Sequence, residues 1–243
     1  MCGICGIVNL QGLSPADPNL IRKMMGRLKH RGPDSSGFYL DDNAAIGHTR
    51  LAIIDLAGGI QPMSSEDSSL WITYNGELYN YVELALELKS LGHTMRTKSD
   101  TEVIIHAYEQ WGNDCNERFN GQWAFALWDI NNRTLTLSRD RFGVRPLFYT
   151  FCGDRFLFAS EIKALFADNT IKRAFDPAGL SEVFTFWGSV APRTVFKDIY
   201  ELKPGCFATF RNGNFSIKPY WSIRFPISQS PASVQSAKKN IFE

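Results

Sequence analysis

A cysteine stands at position 2, between Met1 and Gly3. Trimming of an initiator Met before a small residue would leave Cys2 at the head of the chain. An N-terminal cysteine carries its own general base, because its α-amine titrates at about 7.7–8.0 and its thiol at about 8.5. Both lie close to neutrality, so the free amine can take the thiol proton directly or through one water. N-terminal threonine nucleophiles follow the same logic. Two plainer readings attach to the same residue. Cys2 is a chance thiol, or it is half of a Cys2-x-x-Cys5 metal or redox pair. The second is weak, since no other C-x-x-C occurs and His30 and His48 do not stand at zinc-finger spacing from it.

Three further places carry groups that a free α-amino acid with a side-chain amide would need. A buried carboxylate calls for a planar guanidinium fork, and Arg50 lies between a strand-like run at 44–48 and the apolar Leu51-Ala-Ile-Ile54. An ammonium calls for a carboxylate, and Asp100 opens a helix in Lys98-Ser-Asp-Thr101. A developing oxyanion calls for donors already in place, and Asn75-Gly76 offers an amide NH2 and an unhindered backbone N–H after the strand at 71–74. Each has a bland counterpart: a rim arginine with a buried stem, a plain helix cap, an ordinary Asn-Gly turn.

These residues need elements to hold them. Short apolar runs bounded by turn residues predict strands at 4–9, 38–40, 71–74, 123–129, 134–139, 147–151 and 156–160. Asn131-Asn132, Gly153-Asp154 and Asn212-Gly213 predict hairpins, the last between 207–210 and 215–217. Asp17-Pro18 caps a helix running to about His30. Residues 81–91 place Leu84, Leu88 and Leu91 on one face and stop at Gly92. Ser99 and Glu102 form a capping-box pattern for a helix that stops at Gly112. Asp176-Pro177 opens another that stops near Gly188. Hairpins mixed with separate helices predict antiparallel sheets covered by helices. Neither GxxxxGK[ST] nor GxGxxG follows a strand, and there is no GxSxG.

Composition narrows the field. The 243 residues hold 26 Lys+Arg against 25 Asp+Glu, a net charge of +1, which argues against a protein built to neutralise phosphates. The basic stretch 22–31 therefore reads as a solvated helix face, and Arg139-Asp-Arg-Phe142 as a structural ion-pair loop. The longest apolar run, Trp123 to Trp128, is too short to cross a bilayer, and the first basic residue, Arg22, follows no signal-like stretch. Five cysteines, an odd number, point to free thiols in a reducing cytoplasm. After Trp221 the chain turns rich in Ser and Pro, which predicts a domain over 1–222 and a linker over 223–243 that begins a further domain.

Taken together, the motifs resemble one family. They run in order as Met1-Cys-Gly-Ile-Cys-Gly-Ile7, His30-Arg-Gly-Pro-Asp-Ser-Ser-Gly37, Arg50-Leu-Ala-Ile-Ile-Asp55, Gln61-Pro-Met63, Tyr74-Asn-Gly-Glu-Leu-Tyr-Asn80, Ser99-Asp-Thr-Glu-Val103, Asp140-Arg-Phe-Gly-Val-Arg-Pro-Leu-Phe-Tyr149, Ala159-Ser-Glu-Ile-Lys-Ala-Leu165 and Leu202-Lys-Pro-Gly205. In this order they resemble class II glutamine amidotransferases, which are N-terminal-nucleophile hydrolases. Within that class they are similar to the glutaminase half of glutamine-hydrolysing asparagine synthetases. The Arg-Gly-Pro-Asp and Gln-Pro-Met pieces set them apart from the sugar-phosphate and phosphoribosyl amidotransferases.

The resemblance implies an α+β fold, a four-layer αββα sandwich of two antiparallel sheets between helix layers. It implies Cys2 as nucleophile with its own amine as base, and an oxyanion hole from the Asn75 side chain and Gly76 N–H. Arg50 would bind the glutamine α-carboxylate and Asp100 the α-ammonium, with Leu51, Ile53, Ile54 and Glu77 lining the pocket. L-Glutamine would be hydrolysed to L-glutamate and ammonia through a Cys2 thioester. The ammonia would pass to an ATP-dependent synthetase domain, in cis or as a separate chain, that makes asparagine or another amide. The full-length enzyme would be an ATP-dependent C–N ligase, and a homodimer is one assembly the family allows.

One departure stands out. The Ser-Gly-Gly-x-Asp-Ser phosphate loop of the synthetase domain is missing here, and the nearest text, Ala57-Gly-Gly-Ile60, lacks its Asp and Ser. No cofactor or metal is expected in this chain; ATP and Mg belong to the missing domain. No nucleic-acid or membrane partner is expected. Two other functions compete: a glutamine-binding module without turnover, and an N-terminal hydrolase for another amide. The joint presence of Arg50 and Asp100 favours a free amino acid over the latter.

Overall fold

The computed structural model describes residues 1–9 and 16–225, and the predicted linker at 223–243 falls mostly outside them. Two six-stranded sheets form the centre. The first contains β1 (Gly3–Asn9), β2 (Ser35–Leu40), β3 (Ala44–Arg50), β8 (Phe148–Cys152), β9 (Arg155–Ala159) and β10 (Ile199–Glu201), in the order β10-β8-β9-β1-β3-β2. The second contains β4 (Met63–Ser64), β5 (Leu70–Leu78), β6 (Gly121–Asp129), β7 (Thr134–Arg139), β11 (Cys206–Arg211) and β12 (Asn214–Pro219), in the order β12-β11-β7-β6-β5-β4. All pairings within both sheets are antiparallel.

The layering follows from strand alternation, since successive side chains point to opposite faces. Ile4 and Val8 of β1 and Ala44 and Ile46 of β3 join Ala124, Ala126 and Trp128 of β6 in a core between the sheets. Cys5, Ile7 and Ala45 face the other way and pack on Ile21, Met24 and Leu28 of α1 (Pro18–Leu28). Trp123, Phe125 and Leu127 of β6 pack on α2 (Tyr81–Ser90) and α3 (Asp100–Trp111). Shorter helices α4 (Cys115–Arg118) and α5 (Ile162–Leu165) complete these layers, and α6 (Pro177–Phe186) follows later in the chain. The expected αββα sandwich is the observed one.

The three hairpins form as predicted, with left-handed backbone at Arg133, Gly153 and Asn212–Gly213. Asp17 caps α1 and Asp176 caps α6 through their side chains, each ahead of a proline. Four expectations need correction. The strand predicted at 71–74 is longer, because β5 continues through Asn75-Gly76 and pairs Asn75 with Ala124 and Gly76 with Trp123. Glu102 does not close a capping box. It accepts from the backbone N–H groups of Arg96 and Thr97 and from the Thr97 hydroxyl, while Ser99 N–H turns to Thr97 Oγ1. Leu91 lies past the end of α2 and is half exposed, so the buried face of that helix is Leu84 and Leu88. The 139–142 loop is held mainly by backbone groups. Buried Asp140 accepts from the N–H groups of Trp123, Phe142, Val144 and Arg145, and the ion pair of Arg139 reaches Glu201 instead.

Candidate active site

Cys2 lies just ahead of β1, which runs antiparallel to β3 with Gly3 opposite Thr49. That register brings the Cys2 thiol to the residue after β3. Cys2 Sγ accepts from Leu51 N–H at 3.3 Å and approaches Leu51 O at 3.5 Å. Arg31, whose side chain is 8% exposed, donates from Nε to Cys2 O at 2.8 Å and is itself braced by Glu161. Most of the 22–31 stretch is solvated as predicted, but Arg31 is buried against the terminus.

Arg50 ends β3. Its guanidinium donates to the carbonyls of Leu56, Ile54 and Asp55 at 2.9, 3.2 and 2.7 Å. A guanidinium has five N–H donors, so these three bonds orient the fork and leave donors over. Gly59 leaves room for this arrangement, because a Cβ at that position would lie 2.7 Å from Arg50 Nη2 and 3.0 Å from Asp55 O and would push the guanidinium aside. The loop is closed by Asp55, which accepts from Gly58 N–H and from Lys98 N–H. Those backbone donors hold the Asp55 carboxyl below its ordinary range.

The second sheet contributes Asn75 and Gly76. Along β5, Thr73 and Asn75 point toward the first sheet, where Thr73 Oγ1 meets His48 Nδ1 at 3.1 Å. Burial pushes His48 down to about 3, so the ring is neutral and ties the two sheets without a charge. Asn75 is buried, and its Nδ2 has no hydrogen-bond partner. Such an orphaned donor is costly unless something fills its place. Gly76 packs so tightly on β6 that an added Cβ would lie 2.3 Å from Gln122 O.

Tyr74 and Leu78 point to the helix layer and meet Asp100 in the first turn of α3. Asp100 Oδ2 accepts from Tyr74 Oη at 2.9 Å and from Leu78 N–H at 3.1 Å. Burial raises the Asp100 carboxyl, and these two bonds oppose the rise. Burial also raises Glu77, with Asp100 adding to the effect and Arg145 opposing it. The Cys2 thiol is raised by burial too, while the Leu51 bond, the chain's amino terminus and Arg50 pull it back.

These residues surround one cavity of about 200 Å³. Every residue singled out from the sequence lines it: Cys2, Arg50, Leu51, Ile53, Ile54, Asn75, Gly76, Glu77 and Asp100. The wall also includes Met1, Gly59, Gln61, Tyr74, Ser99, Thr101 and Arg145, which the sequence did not mark as part of the site. Gln61 bridges Thr101 Oγ1 and Tyr74 N–H, and so fixes α3 against β5. Tyr74, Gln61 and Arg145 stand inside the ordered motifs, but only the fold shows which way they point. The cavity thus has a cation at one side, a buried carboxylate at another, a thiol, and an unpaired amide donor. That set fits an amino acid whose side chain carries a carbonyl.

Among the described residues, no helix is long and apolar enough to cross a membrane. The family described as glutamine amidotransferase domain matches residues 1–221. Asparagine synthetase [glutamine-hydrolyzing] 3 of Bacillus subtilis (strain 168) is 42% identical over 226 residues, covering 92% of this chain and 37% of that protein. Putative asparagine synthetase [glutamine-hydrolyzing] 2 of Methanocaldococcus jannaschii is 32% identical over 268 residues, covering all of this chain and 51% of its own length. The chain therefore spans between about a third and a half of these two relatives. The fold is shared with the glutamine phosphoribosylpyrophosphate amidotransferase of B. subtilis, at a TM-score of 0.66 and 20% identity over 90% of this chain and 49% of that one.

Proposed function

The chain belongs to the glutamine amidotransferase domain family, and from that premise we propose that its cavity hydrolyses L-glutamine to L-glutamate and ammonia through a thioester on Cys2. The observation that carries this is the convergence of the Cys2 thiol, the Arg50 guanidinium, the Asp100 carboxylate and the orphaned Asn75 amide on one cavity.

Arg50 takes the α-carboxylate and Asp100 the α-ammonium, which fixes the substrate at both charged ends. Leu51, Ile53, Ile54 and Glu77 line the space around the side chain. Removal of Met1 frees the Cys2 α-amine, which accepts the thiol proton. Burial raises the thiol above its ordinary value, so an adjacent base supplies what the resting site lacks. Sγ attacks the side-chain amide carbon, and the carbonyl oxygen becomes an oxyanion. Asn75 Nδ2 and Gly76 N–H receive that charge. The protonated amine returns its proton to the nitrogen as the C–N bond breaks and ammonia leaves. Water, activated by the same amine, then cleaves the thioester to glutamate and restores the thiol.

The ammonia goes to an ATP-dependent synthetase domain, in cis or as a separate chain, that makes asparagine or another amide. The names of the relatives and the share of their length that this chain spans support that assignment. ATP and Mg belong to that domain. The test is glutamate release from glutamine by the chain, with covalent labelling of Cys2 by a glutamine-like diazo-ketone. Cys2→Ala is expected to abolish both. Undiminished turnover in that variant would overturn the proposal.

A further inference from the structure

On the outer side of the second sheet, away from the cavity, two histidines and a glutamate share one point. Two residues past the end of α2 stands Gly92, whose backbone is left-handed at φ +101°, and His93 N–H turns back to Leu88 O at 3.0 Å. That turn delivers the His93 ring to α3, where His106 and Glu109 stand three residues apart on one face. His93 Nδ1 and His106 Nδ1 lie 3.2 Å apart. Glu109 Oε2 is 2.8 Å from His106 Nδ1 and 3.5 Å from His93 Nδ1.

Three atoms with lone pairs thus form a triangle. Tetrahedral zinc holds nitrogen and oxygen at about 2.0–2.2 Å, which puts neighbouring ligand atoms roughly 3.4 Å apart. The observed 3.2 and 3.5 Å sides lie close to that spacing, and the 2.8 Å side is the hydrogen bond between Glu109 and His106 that an ion would replace. The outer shell points the same way. Metal-binding histidines commonly donate their second ring N–H to an oxygen acceptor. His93 Nε2 meets Gln110 Oε1 at 3.1 Å, and the tautomer that donates there is the one that frees Nδ1 for an ion. His106 is buried, and its Nε2 faces Glu66 Oε1 at 3.4 Å and Glu102 Oε1 at 3.8 Å. Glu102 is already committed to Arg96 and Thr97 and His106 Nε2 makes no hydrogen bond, so a metal on Nδ1 would replace the Glu109 hydrogen bond and leave the ring proton on Nε2, facing these carboxylates.

We propose that His93 Nδ1, His106 Nδ1 and Glu109 Oε2 form a divalent-metal site for zinc, completed by one water. Side-chain exposures of 17% for His93 and 27% for Glu109 give the ion a way in. The site staples the end of α2 to the middle of α3. Asp100 lies six residues earlier on the same helix, about 9 Å along its axis, so the metal acts on stability and takes no part in glutamine chemistry.

The test uses the full chain, stripped of metal by a chelator and titrated with zinc in calorimetry and with cobalt(II) in visible absorption. One equivalent should bind, cobalt should show the intense bands of a four-coordinate site, and the melting temperature should rise. His93→Ala and Glu109→Gln, at partly exposed side chains, should each weaken zinc by at least the roughly 10–100-fold that loss of a residue merely supporting a ligand costs. Both should leave the metal-free melting temperature and glutaminase rate near wild type. Cys2→Ala should keep the site, which separates it from zinc held by the thiol. A protonated His106 between carboxylates is the rival arrangement. Absence of zinc binding at micromolar concentration, or undiminished binding in both ligand variants, would favour it and overturn the proposal.

Discussion

Asp55 Oδ2 accepts the Lys98 backbone N–H at 2.9 Å, and this one bond joins the loop that cradles Arg50 to the turn that leads into Asp100. Asp55 Oδ1 holds Gly58 N–H at the same time, and Asp55 O receives Arg50 Nη2. The two groups proposed to grip the charged ends of the substrate are therefore set at a mutual distance by a residue that touches neither end. Asp55→Ala should raise KM for glutamine by about tenfold, the scale of one lost charge-assisted hydrogen bond, with kcat little changed. Steady-state kinetics on the variant check this. A selective loss of kcat would assign Asp55 a different part.

Arg50 and Asn75 should separate binding from chemistry. Arg50 meets a carboxylate that keeps its charge throughout the reaction, so Arg50→Gln should mainly raise KM. Asn75 offers a donor that finds its acceptor only when the oxyanion forms, so Asn75→Ala should lower kcat by about 10²–10³. The reverse pattern in the two variants would exchange their roles.

The Glu161 cluster sets a pH dependence of stability. Burial raises the carboxyl, but Lys163, Arg31 and His30 outweigh it and hold Glu161 at about 2. The unfolded value is about 4.3. A value lowered in the folded state contributes stability above about pH 4.3, and that contribution fades as pH falls toward 2. Glu161→Gln should therefore lower the urea midpoint at pH 7, about half as much at pH 3, and approach wild type only by about pH 2. The same substitution loosens Arg31, which holds Cys2 O, so glutaminase kcat at pH 7 should drop several-fold. A difference in urea midpoint that stays constant across this range would contradict the assignment.

Much of this architecture was legible because its signals are local. Asp17-Pro18 and Asp176-Pro177 cap helices through their own side chains. Gly92 and Gly112 end helices with positive φ. The strand at 71–74 runs further than its local signal because pairing of Asn75 with Ala124 and of Gly76 with Trp123 outweighs the turn preference of Asn-Gly. Glu102 misled because donors at Arg96 and Thr97 lie on the preceding loop, which no spacing rule reports. Cys2, Arg50, Asn75 and Asp100 were each ambiguous alone and gained meaning from their order along the chain. Tyr74, Gln61 and Arg145 could not be placed, because their roles depend on contacts between the second sheet, α3 and a distant loop.

The central claim is that the freed α-amine of Cys2 is the base. The most direct measurement compares glutaminase rates of two preparations verified by intact mass, one beginning at Cys2 and one retaining Met1. Retention turns the amine into an amide nitrogen that takes no proton at neutral pH. It also leaves the thiol, already raised by burial, without a base. Acetylation of the processed terminus removes the base with less bulk than Met1, which already lines the cavity. Both blocked forms should lose nearly all activity while melting within about a degree of the processed chain, since half-exposed Met1 belongs to none of the buried cores. A rate near that of the processed enzyme in the chain that keeps Met1 would contradict the mechanism and reduce Cys2 to a thiol beside a pocket.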